Sequence, residues 1–171
     1  MAGASPGGVA LSVEGDAGAL LPALLLQARP EADAPEKDQS LWDRLRGLSR
    51  TERLFLAARA DRTERLVLVQ DNDPQVLYAL LKNSRITVDE IVRVAKSAWL
   101  TYQTAELILK TNQWASSPEV RVALVHNPKT PQAFALRLLP TLPEAEVKNI
   151  ARGRATSMAL KQAALKRLQG G

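Results

Sequence analysis

The chain contains no cysteine, which excludes disulfides, thiolate metal sites and a cysteine nucleophile. It holds one histidine, His126, so a histidine-based zinc or iron site cannot form within one chain. Aromatics are scarce, at 4 % of 171 residues, and Leu, Ala and Val carry the apolar content, a mixture that favours helices over sheets. No stretch alternates with a period of two, and no Asn-Gly or Asp-Gly hairpin signal occurs. Long apolar runs are absent too: Leu20 to Leu26 is far too short to span a bilayer. Met1 to Gly18 lacks the basic start of a secretory signal. These absences predict a cytoplasmic protein without membrane insertion, and the cysteine-free, Ala-, Leu- and Arg-rich composition has a bacterial character.

Acidic residues are unevenly placed. The first 41 residues carry six acids (Glu14, Asp16, Glu31, Asp33, Glu36, Asp38) against two bases (Arg29, Lys37), which leaves a net +9 for the rest of a +5 chain. Beyond Glu146 there is no acid, while Lys148, Arg152, Arg154, Lys161, Lys166 and Arg167 follow. A basic end on a folded body suits an anionic partner surface. It equally suits helix C-termini and the acidic segment of the chain itself.

Residues 1–40, rich in Gly, Ala, Pro and acids, read as a mostly disordered tail, with a short apolar helix over 17–28 that either docks on the body or enters a partner's groove. Residues 41–171 read as one helical domain. Its helix starts are explicit. Ser49, Asp61, Thr87 and Thr141 each precede a Glu by three residues, the spacing of a capping box. Asp73-Pro74, Ser117-Pro118 and Thr130-Pro131 pair a capping side chain with a proline suited to the first helical position. The starts predict short helices near 41–46, 50–59, 62–70, 74–83, 88–97, 101–111, 118–126, 131–138, 143–151 and 156–168.

Many short helices prompt a search for internal repeats. Asp73 to Asn83 aligns without a gap on Ser117 to Asn127, and Pro74/Pro118, Val76/Val120, Ala79/Ala123, Leu80/Leu124 and Asn83/Asn127 coincide. A second pattern occurs three times: Leu48-Ser49…Glu52…Leu56-Ala57, Ile86-Thr87…Glu90…Val94-Ala95 and Leu142-Pro143…Glu146…Ile150-Ala151. An apolar residue precedes the helix, an acid lies in its first turn, and the small Ala lets a neighbouring helix approach.

The block 117–140 resembles the leucine-rich repeat variant, a relative of HEAT-like helical repeats, through Pro118, Val120, Arg121, Ala123, Leu124, Asn127, Pro128, Thr130 and Pro131. The copy at 73–96 keeps Pro74, Val76, Ala79, Leu80, Asn83 and Thr87, and departs at Leu77 and Ser84. The resemblance implies an all-α fold, a right-handed α-solenoid of short stacked helices, and a role in binding. One branch of that family carries an iron–sulfur module, which a cysteine-free chain lacks.

A solenoid offers an extended curved surface and few converging side chains, which argues against an enzyme. No catalytic residue, cofactor or metal site is therefore expected. His126 reads as a cationic cap on a helix end. Asp71-Asn72-Asp73 reads as an interhelical turn with an N-cap, because Pro74 follows where a calcium loop needs further oxygens and a glycine. Trp99, Tyr102 and Trp114, with Lys96, Lys110 and Lys129 nearby, read either as wedges between helices or as a stacking surface for bases. Lys82, Arg85, Arg93, Arg121 and Lys129 recur near equivalent repeat positions, which suits either a basic stripe along the array or, more commonly, a solvated ridge. The expected function is a protein–protein adaptor or scaffold whose partner presents an acidic surface or helix. The alternative is a nucleic-acid-binding repeat protein; a glycosylase-type enzyme would need Asp89 or Glu106 beside Trp99, and no motif selects either.

Overall fold

The computed structural model describes residues 40–170, and the expected tail and 17–28 helix lie outside the described residues. The chain divides between Arg46 and Gly47 into two units. Of the first, the described part is the helix α1 over 40–46, on which the Arg46 guanidinium lies 5.5 Å from the centre of the Trp42 ring.

The second unit begins at Gly47, six residues after the expected start of the helical domain at 41. It holds α2 (Arg50–Ala57), α3 (Arg62–Leu68), α4 (Pro74–Leu80), α5 (Val88–Ala95), α6 (Tyr102–Lys110), α7 (Asn112–Ala115), α8 (Pro118–His126), α9 (Gln132–Leu138), a 3-10 turn at Leu139–Thr141, α10 (Glu144–Arg152) and α11 (Met158–Gln169). No strand occurs among the described residues, so the protein is all-helical there. No described helix is long and apolar enough to cross a membrane.

The capping signals explain most of these starts. Ser49, Asp61 and Thr87 form complete capping boxes with Glu52, Glu64 and Glu90. Asp73 and Ser117 cap α4 and α8 ahead of their prolines. Two expected caps are not formed. Thr141 ends the 3-10 turn and donates its hydroxyl to the Leu138 carbonyl, while Pro143 is the N-cap of α10. Pro131 likewise stands at the N-cap of α9 in place of Thr130. In both, the proline lies one step further out than a first-turn proline would, and the threonine falls outside the helix.

Helix pairing follows a regular scheme. The helix bearing the aliphatic-Ala pair packs on a later helix: α2 on α4, α5 on α8, α10 on α11. Between the first two pairs lie α3 and the two-part α6–α7; between α10 and α11 there is only a turn. One apolar core runs from Ala57 to Ala164 and includes Leu77, Leu80, Ile91, Ile108, Leu124 and Ile150.

Helix ends leave carbonyls without partners. A left-handed glycine cap would satisfy some of them, but no described residue has a positive φ. Asparagines do this work from the neighbouring helix. Asn83, at the end of α4, donates its amide to the carbonyls of Ala57 and Ala60, at 3.0 and 3.1 Å, and accepts from the Arg85 amide at 2.9 Å. Asn127, at the end of α8, donates to Ala95 and Ser97, at 2.7 and 2.8 Å, and accepts from the Lys129 amide at 2.9 Å. Both side chains are buried, so each bond forms away from competing water.

A second polar tie lies beside the first asparagine. Arg65 on α3 and Glu90 on α5 are almost fully buried, and the Arg65 Nε lies 3.1 and 3.0 Å from the two Glu90 carboxylate oxygens. Arg65 also donates to the Ala60 carbonyl, the same oxygen that Asn83 uses, and Glu90 accepts from the Thr87 amide. The buried pair is satisfied on both sides, which such a pair needs to offset its desolvation.

Candidate binding surface

Three of the residues singled out by sequence meet on one hollow. Arg93 on α5, Lys96 at its C-cap and Trp99 in the following turn line a depression of about 460 Å³ together with Val69 and Gln70 at the end of α3. Trp99 is 51 % exposed and stands in a turn where its own amide donates to the Ser97 hydroxyl. Neither Arg93 nor Lys96 has a carboxylate within 4.0 Å among the described residues, and no acid lines the hollow. An exposed indole sharing a hollow with two unpaired cations can hold an apolar side chain beside a carboxylate.

The other candidates are placed differently. Lys82 is exposed at the end of α4, with its ammonium 4.8 Å from the Tyr78 ring centre. Arg85 and Lys129 are exposed and share one local setting, two residues beyond the buried Asn83 and Asn127. Tyr102 stands at the start of α6 with its ring 5.1 Å from that of Phe134 on α9, and Arg137 covers the Phe134 ring at 5.4 Å. Lys110 pairs with Glu106 one turn back at 3.0 Å, in a largely exposed pair of small worth. Trp114 packs against the core. Arg121 is half-buried and donates to the Ser116 carbonyl at 3.2 Å. Of the five cations expected to recur along the array, Lys82, Arg85, Arg93 and Lys129 are exposed without a carboxylate within 4.0 Å among the described residues, and Arg121 is the half-buried one.

His126 lies in the last turn of α8 and its Nε2 donates to Glu146 Oε2 on α10 at 2.9 Å. The Asp71-Asn72-Asp73 turn is closed by protein groups. Asp71 accepts from the Asp73 amide and stands 3.0 Å from Arg53. Asp73 caps the Gln75 amide and takes Arg50 at 2.6 Å. Burial pushes the Asp73 carboxyl up, but the Gln75 and Val76 amides and the Arg50 guanidinium together hold it below its ordinary value.

Sequence reasoning did not find Val69 and Gln70 in the hollow, since α3 meets the α5 end only in three dimensions. It also passed over Phe134 and Arg137, although Arg137 stands 44 positions after Arg93 and the internal alignment was a usable signal. Comparison with protein-family models, curated proteins and solved structures finds no match to this chain.

Proposed function

We propose that residues 47–170 are a non-catalytic protein–protein interaction module, an adaptor or scaffold in the cytoplasm, built as a HEAT-like, leucine-rich-repeat-variant solenoid. Support for the repeat comes from Asn83 and Asn127, which close the ends of α2 and α5 with the same set of hydrogen bonds. A unit that contacts only its neighbours through such ties extends by stacking and leaves its outer face free.

The observation that carries the binding reading is the hollow of Arg93, Lys96 and Trp99, which has two unpaired cations, an open indole and no acid in its lining. The partner that fits is an acidic segment or helix of another protein, with a carboxylate between the cations and an apolar side chain on Trp99.

The test is fluorescence anisotropy of a labelled Glu/Leu helical peptide titrated with the wild-type protein and with Arg93→Glu/Lys96→Glu. The wild type should bind, and the double reversal should weaken binding by about tenfold or more, since two attractive contacts become repulsive. Equal binding by both proteins would refute the reading. A labelled DNA duplex that binds more tightly than the peptide, and weakens steeply with salt, would replace it with the nucleic-acid alternative.

A further inference from the structure

On another part of the second unit, a hollow of about 400 Å³ opens between the end of α8 and the start of α11. Its polar lining includes His126, Thr130, Gln132, Arg154, Thr156 and Ser157, and no carboxylate belongs to it. Three independent features converge there. Arg154 is exposed and has no carboxylate within 4.0 Å among the described residues. The twelve-residue α11 starts at the hollow: Ser157 caps the Leu160 amide, no acid occupies the first turn, and the Met158 and Ala159 amides are the donors that a helix start leaves over. Thr130 is only 7 % exposed, and its Oγ1 has no hydrogen-bond partner. A buried hydroxyl in that state calls for an acceptor.

The local fold maintains this arrangement. Pro131, standing at the N-cap of α9, leaves the Thr130 hydroxyl without a helix amide to cap. The turn from α10 to α11 is tight because residue 153 is glycine: a Cβ there would come within 2.6 Å of the Thr156 hydroxyl and 3.3 Å of the Asn149 carbonyl. That tightness brings Arg154, Thr156 and Ser157 against the end of α8. Glu146 pairs with His126 and is not part of the lining.

We propose that this hollow binds a phosphate dianion, free or as a monoester, with Arg154 and the first-turn amides of α11 as donors, joined by the Thr130 hydroxyl, which is closed to solvent as it stands and turns toward the anion. A guanidinium gives charge-assisted bonds to phosphate oxygens, and a helix start adds oriented amides. The site does not depend on the hollow at Trp99 or on the acidic partner proposed for it.

His126 is the sole histidine, so its imidazole protons are an isolated NMR reporter beside the hollow. The full chain is titrated with inorganic phosphate, and separately with glycerol 3-phosphate, at fixed pH and at an ionic strength held constant with chloride. A saturable shift of the His126 signals supports the site. Tighter binding of the ester identifies an organic phosphate as the natural ligand; equal binding identifies the free ion. Arg154→Gln, an exposed change that should leave far-UV circular dichroism intact, should weaken saturation about tenfold, and Thr130→Val should weaken it as well. A shift that never saturates, or the same affinity in both variants as in the wild type, overturns the proposal.

Discussion

Asn127 provides the sharpest test of how the second unit is held together. Its side chain makes three bonds: two donated to the carbonyls of Ala95 and Ser97 and one accepted from the Lys129 amide. Replacing it with alanine removes all three and takes these partners from the Ala95 carbonyl and the Lys129 amide, while the Ser97 carbonyl keeps the Leu100 amide. At about 1 kcal/mol per bond the loss is about 3 kcal/mol, somewhat less if water enters the gap. Asn83→Ala should cost a similar amount, because its three bonds are matched. Asn127→Asp is the more telling change. Aspartate keeps the shape and the acceptor for Lys129, but its carboxylate cannot donate, so two carbonyl oxygens face a negative charge. The aspartate variant should therefore be less stable than the alanine variant at neutral pH, and should recover part of the difference in acid, when a protonated carboxyl can donate once. Urea denaturation followed by circular dichroism at 222 nm, with unchanged slope, measures both. An alanine variant within about 1 kcal/mol of wild type, or an aspartate variant as stable as the alanine one, would refute the argument.

Buried and capping charges give two more expected outcomes. Arg65→Met strands the buried Glu90 carboxylate and should cost about 3–5 kcal/mol, whereas Arg65→Met/Glu90→Gln removes the charge, keeps the cap and should recover much of the loss; thermal unfolding decides, and a double variant no better than the single one counts against it. Asp73 has a carboxyl lowered by folding, so its stabilisation is complete above the ordinary carboxylate value of about 4 and is lost as pH falls. Asp73→Asn should then be less stable than wild type at neutral pH and converge on it in acid; a constant gap across the pH series would show that the Arg50 and amide contacts do not govern it.

Much of the helical order was legible in the sequence because its start signals are local. Ser49, Asp61, Thr87, Asp73 and Ser117 act on amides two or three residues away, so their roles need no tertiary context. Thr130 and Thr141 misled because a nearby proline suits the N-cap as well as the first turn. The four-residue α7 escaped notice: it comes after α6 and Thr111, whose hydroxyl bonds back to Leu107 instead of capping the α7 amides. The candidate surface was read only in part. Arg93, Lys96 and Trp99 line one hollow, although the string groups only Lys96 with Trp99 and sets Arg93 among the recurring cations. Trp114 reads in the string as either a wedge between helices or a surface ring, and it packs on the core, while Arg121, read among the recurring cations, turns back to the turn before its own helix. Arg65 gives no sign in sequence that its charge is buried, since its partner Glu90 lies 25 positions away and already has a role as a cap.

The asparagine ties read backbone carbonyls and not side chains, and this has a consequence for length. The first tie spans 26 positions and the second 32, yet their bonds are the same. The additional residues are absorbed in the middle of the unit, where α6 and α7 stand in place of the single α3. A latch indifferent to the length of chain it encloses marks those middle segments as the places where insertions, deletions or grafted sequences would be accommodated, while the asparagine and the carbonyls it grips must stay in step.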